Sequence, residues 1–236
     1  MSLDTKEFFE KKADYYNILN DYPPDVFGFI PMGARVLDVG CGSGRALQEL
    51  VKRNWTVGMD LSFSMLEKSK KYTRNLVCAD AHNIPFAEGS FNVVLVSFVW
   101  HHLQHPFKAA KEFWRVLKKG GIILIVTLSH EDIANSLFSA YSDEYRKKDE
   151  ERIPDLPDIH ALLEEVGFDN FSYIGKCKHL REKTSRIIER IDKRIFTTFE
   201  LLSDKEIEKI KSGIKRDFPE EVFYLWTYSI LIAEKV

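Results

Sequence analysis

The chain has 236 residues, 44% of them hydrophobic and 30% charged, so it can bury the core of one large α/β domain or two small ones. Its 34 lysines and arginines nearly balance 36 acids, which argues against a protein that grips a long polyanion such as a nucleic acid. The cysteines, Cys41, Cys78 and Cys177, are far apart and lack metal-ligand spacing; they read as reduced thiols of an intracellular protein with no metal site.

Along the chain, residues Met1 to Glu7 lack the basic-then-apolar pattern of a secretory signal. Asp4 and Glu7 instead make a capping-box-like start to a helix bearing Phe9, Ala13 and Tyr16. The first half then alternates short β-branched runs with amphipathic stretches, the pattern of a parallel sheet covered by helices. Strands are predicted at Ala34–Val39, Trp55–Met59, Asn75–Ala79, Phe91–Phe98 and Gly121–Leu128. The last two are continuous apolar runs, as in strands buried on both faces. Helices are predicted from Arg45 to Arg53, from Ser62 or Ser64, and from Pro106 to a stop at Gly120-Gly121. The longest apolar runs, such as Val93 to Trp100, are far shorter than the roughly 20 residues that span a bilayer. A soluble, cytoplasmic protein without membrane contact is expected.

In the second half, Pro157 to Val166 reads as a helix closed by Gly167, and Phe168 to Gly175 as a strand. Two amphipathic helices follow. One carries Ile187, Ile191, Ile195 and Phe199; the next opens with Ser203 and Glu206 as a capping box and carries Ile207, Ile210 and Ile214. With Phe196, the first set could form an apolar lid or simply pack. Val222 to Ala233 is the expected last strand, and its Phe223, Tyr224, Trp226 and Tyr228 read mostly as core. No linker composition isolates this half, so one domain over residues 1–236 is predicted.

The chemistry concentrates at strand ends. Val36 to Gly44 runs from a strand into a helix through Gly40-Cys41-Gly42-Ser43-Gly44, a turn that lets a ligand approach the backbone and points free N–H groups at it. A dinucleotide fingerprint would place Gly or Ala at position 45, where Arg45 stands. Asp60, twenty residues after Gly40, ends the second strand and can accept from both hydroxyls of a ribose. The third strand ends in Ala79-Asp80-Ala81, and a second acid at the same sheet edge can accept from an adenine amino group. Each acid alone also reads as a loop or cap residue; together they define one edge.

These residues resemble the class I S-adenosylmethionine-dependent methyltransferases, of the type 11-like group that includes the quinone-biosynthesis C-methyltransferases. The resemblance rests on Val36–Gly44, on Val57–Ser62 with Met65, on Cys78–Ala81 through Ile84-Pro85-Phe86 and Ser90-Phe91, on Val96–Leu103 and on Arg115–Gly121. Asn92 and Lys119 depart from the usual Asp and Pro. The likeness covers roughly residues 34–128 and fades afterwards.

The resemblance implies a Rossmann-like, doubly wound, mostly parallel seven-stranded α/β sheet with an antiparallel last strand. It implies N-terminal lid helices over residues 1–30, a cofactor-binding core over 34–128, helical elaborations over the acceptor site within 129–220, around a sixth strand, and the last strand over 222–235. The cofactor is S-adenosylmethionine. Gly40, Cys41, Gly42 and Gly44 would line its methionyl and ribose portion, and Asp38 would attract its ammonium. Asp60 would hold the ribose, Leu61 and Met65 would cover the adenine, and Asp80 with Ala81 would read its edge. Ser97 would lie under the methionyl group, and Tyr16 reads either as a lid over the cofactor or as a core aromatic.

The implied partner is a small-molecule methyl acceptor. His101 is the candidate general base, needed only when the acceptor loses a proton early. A histidine packing the following helix is the other reading of His101 and of His102, and His82 and His105 read as loop and turn residues. Other functions remain open: a non-catalytic S-adenosylmethionine-binding module, a methyltransferase acting on RNA or protein, or a nicotinamide-dependent dehydrogenase.

Overall fold

The structure, a computed structural model, describes residues 5–14 and 22–236; Asp4 and Tyr16 lie outside the described residues. The strands are β1 (Arg35–Val39), β2 (Trp55–Asp60), β3 (Leu76–Cys78), β4 (Phe91–Ser97), β5 (Leu117–Thr127), β6 (Phe168–Lys183) and β7 (Glu221–Lys235). They form a seven-stranded sheet in the order β3-β2-β1-β4-β5-β7-β6, mostly parallel with one antiparallel strand. This is the α/β sheet that the sequence predicts. The helices are α1 (Thr5–Lys12), α2 (Leu47–Leu50), α3 (Phe63–Ser69), α4 (Pro106–Val116) and α5 (His130–Ala134). They continue as α6 (Asp143–Arg152), α7 (Leu156–Val166), α8 (Thr184–Asp192), α9 (Thr197–Glu200) and α10 (Asp204–Asp217). None among the described residues is long and apolar enough to cross a membrane.

The chain falls into two compact units, the first made of Met1–Thr127, Pro157–Ile174 and Ile230–Val236, the second of Leu128–Leu156 and Gly175–Ser229. In the first, β1, β4 and β5 are buried on both faces, which is why their apolar runs do not alternate. Ser62 caps α3, its Oγ accepting the Met65 N–H at 3.2 Å. Pro106 occupies the first turn of α4, which buries Ala109, Ala110, Phe113 and Val116.

Two predicted boundaries move in the first unit. The helix expected from Arg45 to Arg53 is α-helical only over α2, because its last turn tightens: the Lys52 N–H reaches Glu49 O and the Arg53 N–H reaches Leu50 O. The Gly120-Gly121 pair does not stop α4. That helix ends at Val116, and the glycines lie inside β5, where β4 and β5 shift register between Phe91 and Val93. Gly120 has φ +72, and a Cβ on Gly121 would lie 2.8 Å from Lys118 O, so the bend requires both glycines. Asn92, where the resemblance leads one to expect Asp, accepts the Arg35 N–H at 3.0 Å through its amide oxygen.

The second unit has its own core, formed by Tyr145, Ile187, Ile191, Phe199, Ile207, Ile210 and Ile214 with their neighbours. The isoleucines and Phe199 therefore pack inside this unit. They do not form one helix, however. α8 ends in a Schellman motif, with the Ile195 N–H on Arg190 O and the Arg194 N–H on Ile191 O, and Arg194 takes the left-handed position at φ 45. Ser203 caps α10 through the Glu206 N–H, but the Glu206 carboxylate bonds Ser142 Oγ at 2.7 Å, so only half of the expected box forms. β6 runs eight residues beyond the predicted end at Gly175. Its extension is held by the Arg181–Glu221 pair and by Glu182, which bonds Tyr224 and Arg190. Of the aromatic cluster on β7, Tyr228 is core but Phe223 is 60% exposed.

Candidate functional site

The register of the parallel strands brings the predicted residues to one edge. Val39 pairs with Met59 and with Val96, and Asp60 pairs with Cys78. The carboxyl ends of β3, β2, β1 and β4 therefore present, side by side, Asp80, Asp60, the glycine turn and Ser97. Strand order reverses between β1 and β4, and open α/β sheets bind ligands at that switch point. A cavity of about 260 Å³ lined by Pro24, Phe27, Ile30, Leu50 and Arg53 belongs instead to the segments that lead into β1 and β2, away from these strand ends.

The glycine turn differs from its expected role in one respect. The amides of Gly40 and Cys41 both donate to Met59 O, at 2.7 and 3.0 Å, and the Gly44 N–H donates to Cys41 O at 3.0 Å. The Gly42 N–H donates to Asp60 Oδ2 at 2.8 Å. The turn thus offers room rather than an array of amide donors, which suits a pyrophosphate poorly. Room is evident at Gly42, where φ is +54 and an added Cβ would meet nothing within 4 Å. Ser69 Oγ holds the turn from α3 by donating to Gly42 O at 2.6 Å. Gly40 has the opposite surroundings: φ is +66 and a Cβ would lie 2.3 Å from Val99 Cγ2. Gly40→Ala is accordingly expected to destabilise the protein by about 2–4 kcal/mol, combining left-handed strain with overpacking, as thermal denaturation would read.

Asp60 uses both oxygens, Oδ2 for the Gly42 N–H and Oδ1 for the Ser62 N–H at 2.8 Å. Burial raises its pKa in spite of these amides. Asp38, one strand over, is 2% exposed, and its Oδ2 has no hydrogen-bond partner. Burial, and then the charge of Asp60, push its pKa up to about 8. Ser97 Oγ at the end of β4 is likewise buried without a partner. Both atoms lie at the switch-point edge, which makes that edge the candidate ligand site. Here the unpaired atoms are one carboxyl oxygen and one hydroxyl, which a hydrogen-bond donor such as an ammonium group can complete. Next to Ser97, Phe98 sits at φ 54 with its N–H on Val126 O, a strained residue at the strand end.

Of the predicted adenine cover, Leu61 is 39% exposed and presents an open face, whereas Met65 is 1% exposed. The Met65 side chain is therefore buried in the core. Cys41 is also buried, with its thiol pushed to high pKa, so it contributes backbone and bulk. Asp80 is exposed and begins an Asx turn: its Oδ1 accepts the His82 N–H at 2.9 Å and lies 2.5 Å from His82 Nδ1. Burial alone would raise its pKa, but these bonds and the field of Lys108 outweigh it and hold the carboxylate ionised. Ala81 follows it, half-buried.

The loop after Asp80 is pinned by α4, through residues that the sequence did not single out for a site. The Arg115 guanidinium donates to Ile84 O and Phe86 O at 2.8 and 2.7 Å, and Glu112 accepts the Ile84 N–H at 2.7 Å while pairing with Arg115. Glu10 was missed as well. From α1 it accepts the Phe63 and Ser64 amides at the start of α3, at 2.8 and 3.3 Å. His101 and His102 lie in a 3-10 turn, Trp100–His102, after β4, with rings 4.1 Å apart. His102 packs edge-on against Phe9 of α1 at 5.0 Å.

The methyltransferase domain family matches residues 37–125. The chain is 35% identical over 109 residues to a demethylmenaquinone methyltransferase of Renibacterium salmoninarum, covering 45% of this chain and 46% of that one, so it spans about half the length of that relative. It is 30% identical over 168 residues to the demethylmenaquinone methyltransferase of Staphylococcus haemolyticus, covering 59% of this chain and 70% of that protein. A Haemonchus contortus phosphoethanolamine N-methyltransferase, solved with phosphomonomethylethanolamine and S-adenosylhomocysteine, shares the fold with a TM-score of 0.63 at 21% identity, over 99% of this chain and 60% of that one. Sequence likeness over the greater part of a relative and a common fold along the whole length agree: the chain belongs to the class I S-adenosylmethionine-dependent methyltransferases.

Proposed function

We propose that this chain binds S-adenosylmethionine at the carboxyl edge of β1 to β4 and transfers its methyl group to a small organic acceptor. The observation that carries the reading is the buried carboxyl of Asp38, whose Oδ2 has no partner, next to the half-buried Asp60 and the open space over Gly42. Among common cofactors, one with an ammonium, a sulfonium and a ribose diol suits such a site, and an anionic pyrophosphate does not. Asp38 and Ser97 would bind the methionyl end, Asp60 the ribose, and Asp80 with Ala81 and Leu61 the adenine. The activated methyl on the sulfonium is what the bound cofactor supplies. The residues of the chain align the acceptor with it and exclude water, because in-line displacement gains most from orientation. His101 is the candidate base for an acceptor that must lose a proton, such as a phenol or carbon acid. The relatives named for demethylmenaquinone support an acceptor that is small and partly apolar.

Isothermal titration tests the reading. S-adenosylmethionine and S-adenosylhomocysteine should both bind, with NADH showing no heat in the same cell. Binding of NADH alone, or of none of the three, would sink it.

A further inference from the structure

His82, read from sequence as a loop residue, has a place that a loop residue does not need. Its backbone N–H and its Nδ1 both meet Asp80 Oδ1, at 2.9 and 2.5 Å, and its Nε2 accepts the His105 N–H at 3.1 Å. His105 is the N-terminal cap residue of α4, so the imidazole ties the acid after β3 to the start of a helix. The side chain is only 15% exposed, and the ring of His105 packs edge-on against it at 5.8 Å. The bonding selects one tautomer. An N–H arriving from His105 requires Nε2 to be bare, so the proton sits on Nδ1 and is donated to Asp80.

Two donors on Oδ1 stop the carboxylate from turning. No described residue donates to Oδ2, and that oxygen keeps both lone pairs for a ligand. We infer that His82 is a positioning residue for base recognition: it locks Asp80 so that Oδ2 accepts the exocyclic amino group of adenine and turns away a base with a carbonyl there. This rests on the cofactor reading above. A carboxylate is acceptor-only, so it rewards an amino group and repels a carbonyl oxygen, provided it cannot swing away. A mobile carboxylate would lose ordering entropy on binding and relax around the wrong base.

The test compares S-adenosylhomocysteine with its deaminated form, S-inosylhomocysteine, by calorimetry on the whole chain. The wild type should prefer the adenine form by roughly 10- to 100-fold. Asp80→Asn should abolish that preference. His82→Phe, which keeps the ring but loses both nitrogens, should cut it about tenfold, and His82→Asn, whose amide nitrogen stands near Nδ1, should restore it to within about threefold of wild type. Thermal melts accompany each variant, and His82→Ala replaces the Phe variant if that one does not fold. A purely structural histidine would lower both affinities together and leave the ratio alone. An unchanged ratio in His82→Phe, or equal losses in the Phe and Asn variants, would overturn the inference while leaving the cofactor reading intact. A wild type that binds both forms equally would remove Asp80 from base reading and His82 with it. No binding of either form would overturn the cofactor reading itself.

Discussion

Asp60→Ala is expected to lower the affinity for S-adenosylhomocysteine by about 100-fold, and Asp60→Asn should do no better. Two charge-assisted bonds to ribose hydroxyls at about 1.5 kcal/mol each would account for that loss. The asparagine result follows from geometry in the structure. Each Asp60 oxygen already accepts a backbone N–H, from Gly42 and from Ser62. An amide has one oxygen, so in either orientation its NH2 faces one of those two N–H groups, donor against donor. The unsatisfied, partly buried donor costs about 1–3 kcal/mol. Asp60→Asn should therefore melt several degrees below wild type as well as bind weakly, since 1 kcal/mol moves a chain of this size by roughly 2–4 °C. Calorimetry and a thermal melt on the same preparation read both effects. Retained affinity in either variant would remove Asp60 from the site.

Asp38→Asn should behave in the opposite way on stability. The folded pKa of Asp38 is pushed up to about 8 from an ordinary value of 3.8, by burial and then by Asp60. The native state therefore holds a proton that the unfolded chain releases. That contribution is complete below the unfolded pKa and is lost as pH rises through the folded one, falling by up to about 1.4 kcal/mol per pH unit in between. Without ligand, Asp38→Asn should melt above wild type at pH 8, with a flatter dependence on pH. Ligand binding should reverse the preference. An ammonium beside Asp38 would favour the carboxylate, so binding below pH 8 should expel a proton, and affinity should climb as pH rises toward 8. Titrations in two buffers of different ionisation enthalpy measure that release, and subtracting the Asn variant removes any titration of the ligand itself. Equal proton release in the variant would assign the proton elsewhere.

The parallel half of the fold could be read from sequence because its signals are local. β1, β4 and β5 are apolar runs flanked by glycine or proline, and Ser62 and Pro106 are helix starts of known chemistry. That the candidate site residues share one edge was legible for the same reason: Asp38, Asp60, Asp80 and Ser97 each lie at or near a strand end, and parallel register alone lines those ends up. What escaped was set by distant partners. Glu10 acts on amides more than fifty residues away. The exposed, charged stretch of β6 looks like a loop until Glu221 and Tyr224 bind it. Arg194 breaks a helix from a position where sequence rules look for glycine. The amides of the glycine turn were expected to face a ligand because the acceptor that binds two of them, Met59 O, is on another strand.

Strand order also constrains how the protein is made. β7 lies between β5 and β6, yet it is synthesised after both. While the ribosome is still adding residues, β5 has no neighbour on that side and β6 has no route into the sheet. The nascent chain thus carries an unpaired, apolar strand edge through the synthesis of roughly its second half, the state in which edges recruit other chains. Once β7 arrives, Lys235 buries its Nζ against Leu117 O at 2.9 Å and over the Trp114 ring at 3.8 Å, bonding a residue 118 positions earlier. Growth rate and chaperone supply during expression, rather than the stability of the finished fold, should therefore govern the yield of this protein.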